Sequence, residues 1–68
     1  MKPLSPADEH RAEYLLLCEQ LIQHATDMRN YAMKPGNAWL AKGELSKIAT
    51  LLEELESALA DIKAADEA

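Results

Sequence analysis

Two histidines and one cysteine are the side chains best able to bind a metal ion: His10, Cys18 and His24. His10 and His24 are two heptads apart, about 21 Å along a helix, so one chain cannot use both as ligands of one ion. The Glu-x-x-His pairs of di-iron bundles are missing, because Ala7 and Leu21 stand three residues before the histidines. The sequence therefore predicts no metal and no cofactor, and we interpret both histidines as residues at the edge of a helix contact.

Catalysis has no recognisable basis in these residues. We find no Ser/His/acid set, no glycine-rich phosphate loop and no carboxylate pair that a cleft would bring together. Cys18 lies within an apolar stripe and has no cation placed to acidify its thiol, a setting typical of a packed rather than a reactive cysteine. We therefore expect that the chain is not an enzyme.

Length and composition indicate one small folded domain. The 68 residues are 49% hydrophobic and 28% charged, a balance that is too apolar for a disordered chain. The net charge of −5 repels phosphate backbones and anionic lipid surfaces, which argues against DNA or membrane binding. No apolar run approaches a membrane span, and no secretory signal follows Met1. We expect a cytoplasmic protein.

Local signals predict two helices in a single domain over residues 1–68. Ser5 and Pro6 are typical of a helix start, and no glycine or proline interrupts the chain from there to Met33. Pro35 and Gly36 then break the helix. We expect a helix over residues 6–33, a turn over 34–37 and a second helix over 38–64. The fold class is all-α, an antiparallel helical hairpin.

Both helices carry apolar residues at alternating spacings of three and four, which predicts left-handed, coiled-coil-like packing. In the second helix these residues are Ala38, Ala41, Leu45, Ile48, Leu52, Leu55, Leu59 and Ile62, with Leu51 at their flank. In the first helix they are Ala7, Arg11, Tyr14, Cys18, Leu21, Ala25, Met28 and Ala32, flanked by Leu15 and Ile22 on one side and by His10, Leu17, His24 and Tyr31 on the other.

The apolar arc of the first helix is wider than one neighbouring helix can cover. We therefore predict a homodimer, most simply a four-helix bundle in which the first helix contacts its symmetry mate. The predicted dimer contacts are Tyr14, Leu17, Cys18, Leu21, Ala25 and Met28. The alternative is a monomer whose wide face binds a different protein.

A second apolar feature lies at the turn. Trp39 and Leu40 occupy outward positions, close along the chain to Tyr31 and Met33. Residues of these types are enriched at binding hot spots. The predicted partner-binding residues are Trp39, Leu40, Tyr31, Met33, Arg29 and, on the polar side of the first helix, Leu16. The alternative is that Trp39 folds back as a plug over the end of the bundle, and a bend or late helix start at Gly43 would redirect it.

These features favour an interaction protein, a homodimeric regulator or inhibitor that occludes a transcription regulator, an ATPase or a defence complex. The chain resembles compact acidic helical proteins of phages and mobile elements in size and composition. Its architecture is also similar to that of Rop-type plasmid copy-number regulators, dimeric helical hairpins that bind paired RNA loops. That resemblance implies an RNA-binding bundle as the alternative, although the basic residues are few. A purely structural dimerisation subunit is a third hypothesis.

Overall fold

The computed structural model describes residues 5–67. Helix α1 spans Pro6–Met33 and helix α2 spans Ala38–Glu67, and no strand occurs within this range. The two helices pack against each other along their length, which confirms the all-α hairpin. Helix α2 continues three residues beyond the predicted end at residue 64, since no helix-breaking residue follows. The expectation about the segment after Met1 concerns residues outside the described part.

Both ends of α1 follow from local sequence signals. Ser5 is extended (φ −67°, ψ 159°), and its hydroxyl accepts a hydrogen bond from the backbone N–H of Asp8 at 3.2 Å, while Pro6 opens the helix. Lys34, which precedes a proline, is also extended (φ −97°, ψ 130°) and ends the helix. Its N–H donates to the carbonyl of Tyr31 at 3.2 Å, so the last turn is tightened.

The turn between the helices is short and hydrogen-bonded. Gly36 has a φ of +82°, a backbone conformation that residues with a side chain rarely adopt. The N–H of Asn37 donates to the carbonyl of Lys34 at 3.2 Å, and the N–H of Leu40 donates to the carbonyl of Asn37 at 3.0 Å. Helix α2 begins at Ala38 and runs through Gly43, so the hypothesis of a late helix start at that glycine is wrong.

The face of α2 that contacts α1 differs from the predicted stripe. Every second contact residue is the one directly before the residue that the stripe contains. Ala41, Ile48, Leu55 and Ile62 are half-buried, as the stripe requires. The remaining contact positions are Glu44, Leu51 and Ala58, all of them buried. The prediction was wrong for Leu45, Leu52 and Leu59, which are each more than half exposed, and for Ala38, which is also exposed.

Helix α1 shows the same displacement. Its half-buried contact residues are Ala7, His10, Tyr14, Leu17, Leu21, His24, Met28 and Tyr31. Arg11 and Ala32, which the predicted stripe included, are exposed, and Cys18 and Ala25 lie half-buried at the margin. Because α2 is the only other described element, the burial of this column comes from α2. Four of the six residues predicted to form the dimer contact therefore face α2 of the same chain.

The hairpin is a single layer of helices with two broad faces. Its principal dimensions are 50 × 25 × 11 Å, and its radius of gyration is 15.7 Å. The smallest dimension is close to the diameter of one helix, so neither broad face is covered. Neither helix contains a segment long and apolar enough to cross a lipid bilayer.

Candidate interaction surfaces and the His24–Glu44 cluster

A polar cluster joins the two helices near the turn. Glu44 is 8% exposed, and its Oε2 atom lies 2.6 Å from Nδ1 of His24 on α1. Its second oxygen accepts a hydrogen bond from Nζ of Lys47 at 3.2 Å. The pKa of Glu44 lies below its ordinary value, chiefly because of the hydrogen bond with His24, while burial opposes the shift and Lys47 adds to it. The cluster satisfies a carboxylate that the helix contact buries.

Asp27 completes a group of three ligand-type side chains. One atom each of His24, Asp27 and Glu44 lies within 4.8 Å of the other two. An imidazole with two carboxylates is a set that zinc accepts. In the structure, His24 and Lys47 contact the two oxygens of Glu44, and Gln23 donates a hydrogen bond to Asp27, so hydrogen bonds account for the arrangement. The sequence pattern does not bring Glu44 next to His24, because the predicted stripe has Leu45 and not Glu44 at the helix contact.

The turn end carries the most exposed large apolar side chains of residues 5–67. Trp39 is 71% exposed and Met33 is 79% exposed, and Arg29 is also exposed. Trp39 is therefore not folded back over the end of the single hairpin, whereas its role as a plug over the end of a bundle of two chains stays an alternative prediction. Tyr31 and Leu40 are half-buried. The outward position predicted for Leu40 needs correction, since the helix contact runs through Glu44 rather than Leu45 and this rotation turns Leu40 partly toward α1.

A second apolar surface, here called the leucine face, lies along one broad face of the hairpin. Its residues are Leu15 and Ile22 of α1 with Leu45, Leu52 and Leu59 of α2, each more than half exposed. Each of these residues directly follows a residue that contacts the other helix. Successive residues of a helix are rotated by about 100° around its axis. In two antiparallel helices that face each other, the residues that directly follow the contact residues therefore lie on the same broad face.

An ion pair supports this assignment of sides. Arg11 and Asp66 also follow directly after half-buried residues, His10 and Ala65. Nη2 of Arg11 donates hydrogen bonds to both carboxylate oxygens of Asp66, at 2.6 and 2.7 Å. Two residues placed by the same one-residue step, one from each helix, therefore meet on the same side of the hairpin.

The opposite broad face is polar and acidic. Glu13 and Asp27 of α1, and Glu54 and Asp61 of α2, each directly precede a contact residue, so the same geometry places them on this side. Glu13, Glu54 and Asp61 indeed line one groove between the helices, of about 340 Å³, together with Leu17, Ser57 and Ala58. We call this surface the acidic face. The two broad faces of the hairpin thus differ in polarity.

Leu16 is the sequence-predicted partner residue that stands apart from the others. It is 59% exposed, as expected from its position, and it directly precedes the contact residue Leu17, so it lies on the side of the acidic face and away from the turn. No protein-family model, curated protein sequence or solved structure matches this chain. Its function is therefore inferred from its own surfaces: the turn end, the leucine face and the acidic face.

Proposed function

We propose that the chain is a small cytoplasmic interaction module, a homodimer that binds another protein and regulates it by occlusion, without catalysis. The observation that carries this proposal is the exposure of Trp39, 71%, at the turn end. Tryptophan contributes large apolar areas when it is buried in a partner and is enriched among binding hot spots. Exposed Met33, at the end of α1, adds a deformable apolar side chain to the same end of the molecule.

The turn holds Trp39 on a defined scaffold. This residue belongs to the first turn of α2, and the hydrogen bonds of Asn37 and Leu40 fix the chain on both sides of it. A backbone that is ordered before binding loses less conformational entropy when the complex forms. The turn end is therefore suited to insert into an apolar pocket of a partner.

The charge of the chain favours a partner with a basic surface. The net charge is −5, and the acidic face contributes Glu13, Asp27, Glu54 and Asp61. Complementary charge accelerates association and selects among partners, whereas DNA and anionic membranes are repelled. The basic surface of a nucleic-acid-binding regulator, a motor ATPase or a defence complex fits this description.

A pull-down from lysate of the source cells tests the proposal. The tagged chain is compared with Trp39→Ala and with Lys42→Ala, a control that removes another exposed side chain from the same end of α2. We expect a protein that survives nuclease treatment, is retained by the control and is lost with Trp39→Ala. Loss of a hot-spot tryptophan weakens binding by about 30-fold or more. Both variants should melt near the parent temperature, since both positions are exposed.

Three results would contradict this proposal. Recovery of RNA that disappears after nuclease treatment would favour the RNA-binding bundle. An empty eluate would favour a purely structural subunit. A large fall in melting temperature for Trp39→Ala, with binding intact, would show that the tryptophan supports the fold instead of a partner contact.

A further inference from the structure

We infer that the leucine face binds a second copy of the chain, so that two hairpins stack through this face into a four-helix bundle. The inference deepens the homodimer part of the proposed function and locates the contact on both helices rather than on α1 alone. It does not depend on the protein partner of Trp39.

The first argument is that α2 has two adjacent rows of residues that could contact α1, and that the hairpin buries the less apolar row. Against α1, helix α2 places Glu44, Leu51 and Ala58, and it leaves the adjacent column of leucines in solvent. Burial of apolar area is the main driving force of helix packing, so a lone hairpin gains most by enclosing the leucines. Their exposure in a single chain indicates that another apolar surface covers them.

The second argument is the amount of exposed surface. The chain exposes 5348 Å², whereas a compact monomer of its mass exposes about 4,200 Å². The excess of about 1,100 Å² exceeds the roughly 800 Å² that each partner buries in a standard specific interface. The open broad faces of a layer 11 Å thick account for this excess. The two broad faces together therefore expose more area than one partner buries in a standard dimer interface.

The third argument is that the leucine face is suited to its own copy. Cys18 and Ala25 each directly follow a contact residue, so these small side chains border the leucine face on α1. A twofold axis can place the large leucines of one copy over the small residues of the other, in both directions at once. Stacking through the acidic face would instead bring like charges together, which is unfavourable. The charged pair at the margin, Arg11 and Asp66, is already neutralised within each chain.

The test compares two neighbouring leucines with equal exposure. Leu15 and Leu16 are both 59% exposed, but only Leu15 belongs to the leucine face. Sedimentation equilibrium of the full chain should give twice the monomer mass of 7.5 kDa. Leu15→Glu should weaken the dimer by about 100-fold or more, because the interface would bury two carboxylates. Leu16→Glu should leave the dimer intact.

A milder substitution covers the case in which Leu15→Glu fails to fold. Leu52→Ala keeps a good helix former and should weaken the dimer by about 30-fold, whereas Leu16→Ala should not change it. Circular dichroism confirms helicity in each sample. A parent mass of 7.5 kDa up to high concentration would overturn the inference, as would equal dissociation by the Leu15 and Leu16 variants. A normal dimer mass for Trp39→Ala keeps this test separate from that of partner binding.

Discussion

Leu51 carries the contact between the two helices, and its truncation gives the clearest test of the register. It is 5% exposed, the lowest value of any described residue. Leu51→Ala removes three carbons, worth about 0.8 kcal/mol each when buried. The contact is one layer deep and can partly close over the gap, so we expect a loss near the lower end for such substitutions, about 2–3 kcal/mol per chain. In a domain of this size that lowers the melting temperature by about 10–20 °C.

Leu52→Ala is the matched control, because the sequence pattern alone places Leu52 rather than Leu51 at the contact. Leu52 is 51% exposed in the hairpin, so its truncation should cost the hairpin itself about half as much as Leu51→Ala or less. Any further loss of stability for Leu52→Ala comes from a weaker dimer, and its size depends on the protein concentration. The loss for Leu52→Ala should therefore grow as the protein concentration rises above the dissociation constant of the parent dimer. The intrahairpin loss for Leu51→Ala remains at every concentration.

Thermal melts followed by circular dichroism at two concentrations, about 5 and 200 μM, separate these effects by mass action. The register is supported if Leu51→Ala melts far below Leu52→Ala in the dilute samples, where the dimer contributes least. The opposite order in dilute solution, or equal losses, would refute the reasoning. In that case Leu52 would lie at the helix contact, and the leucines would not form an exposed face.

Three further predictions follow from individual side chains. Gly43→Ala should stabilise the protein by about 0.5–1 kcal/mol in chemical denaturation, because a Cβ there meets no atom within 4 Å and alanine favours the helix. The lowered pKa of Glu44 means that the folded state holds its proton less tightly, so stability is gained above the ordinary value of 4.5 and lost as the pH falls below it; His24→Ala should raise that pKa in a carboxyl NMR titration. A double-mutant cycle with Arg11→Gln and Asp66→Asn should give a coupling below about 1 kcal/mol, since both side chains are about half exposed.

The ends of α1 and the turn could be predicted because their causes are local. A hydroxyl that caps a backbone N–H, a proline in the first helical position and a proline that excludes helix at Lys34 each act within a few residues. Gly36 supplies the one positive φ of the turn in the same way. Such signals do not depend on which helix surfaces later meet. The hairpin therefore followed directly from the sequence.

The contact register could not be predicted because it depends on a pair of residues 20 positions apart. The rows of residues that recur every seven positions from Leu45 and from Glu44 both fit a period of 3.5 residues. The row from Leu45 is the more apolar, so the sequence pattern favours it. The structure selects Glu44, whose charge becomes acceptable at the contact only when His24 and Lys47 bind its oxygens. One signal in the sequence was useful: His24 lies beside the predicted stripe of α1 and can form a hydrogen bond with a carboxylate of α2.

The correction of the register changes where the two proposed contacts of the protein lie. On the sequence argument the surplus apolar surface belonged to α1, and a dimer along α1 would compete with α2 for residues such as Tyr14 and Leu21. In the structure the surplus is shared between the helices on the leucine face. Trp39 directly follows Ala38, which lies seven residues before Leu45, so one step of about 100° turns the tryptophan away from the leucine face. Dimerisation and partner binding can therefore occur together, and each proposed dimer would present two tryptophans, which raises avidity for any partner with two suitably spaced pockets.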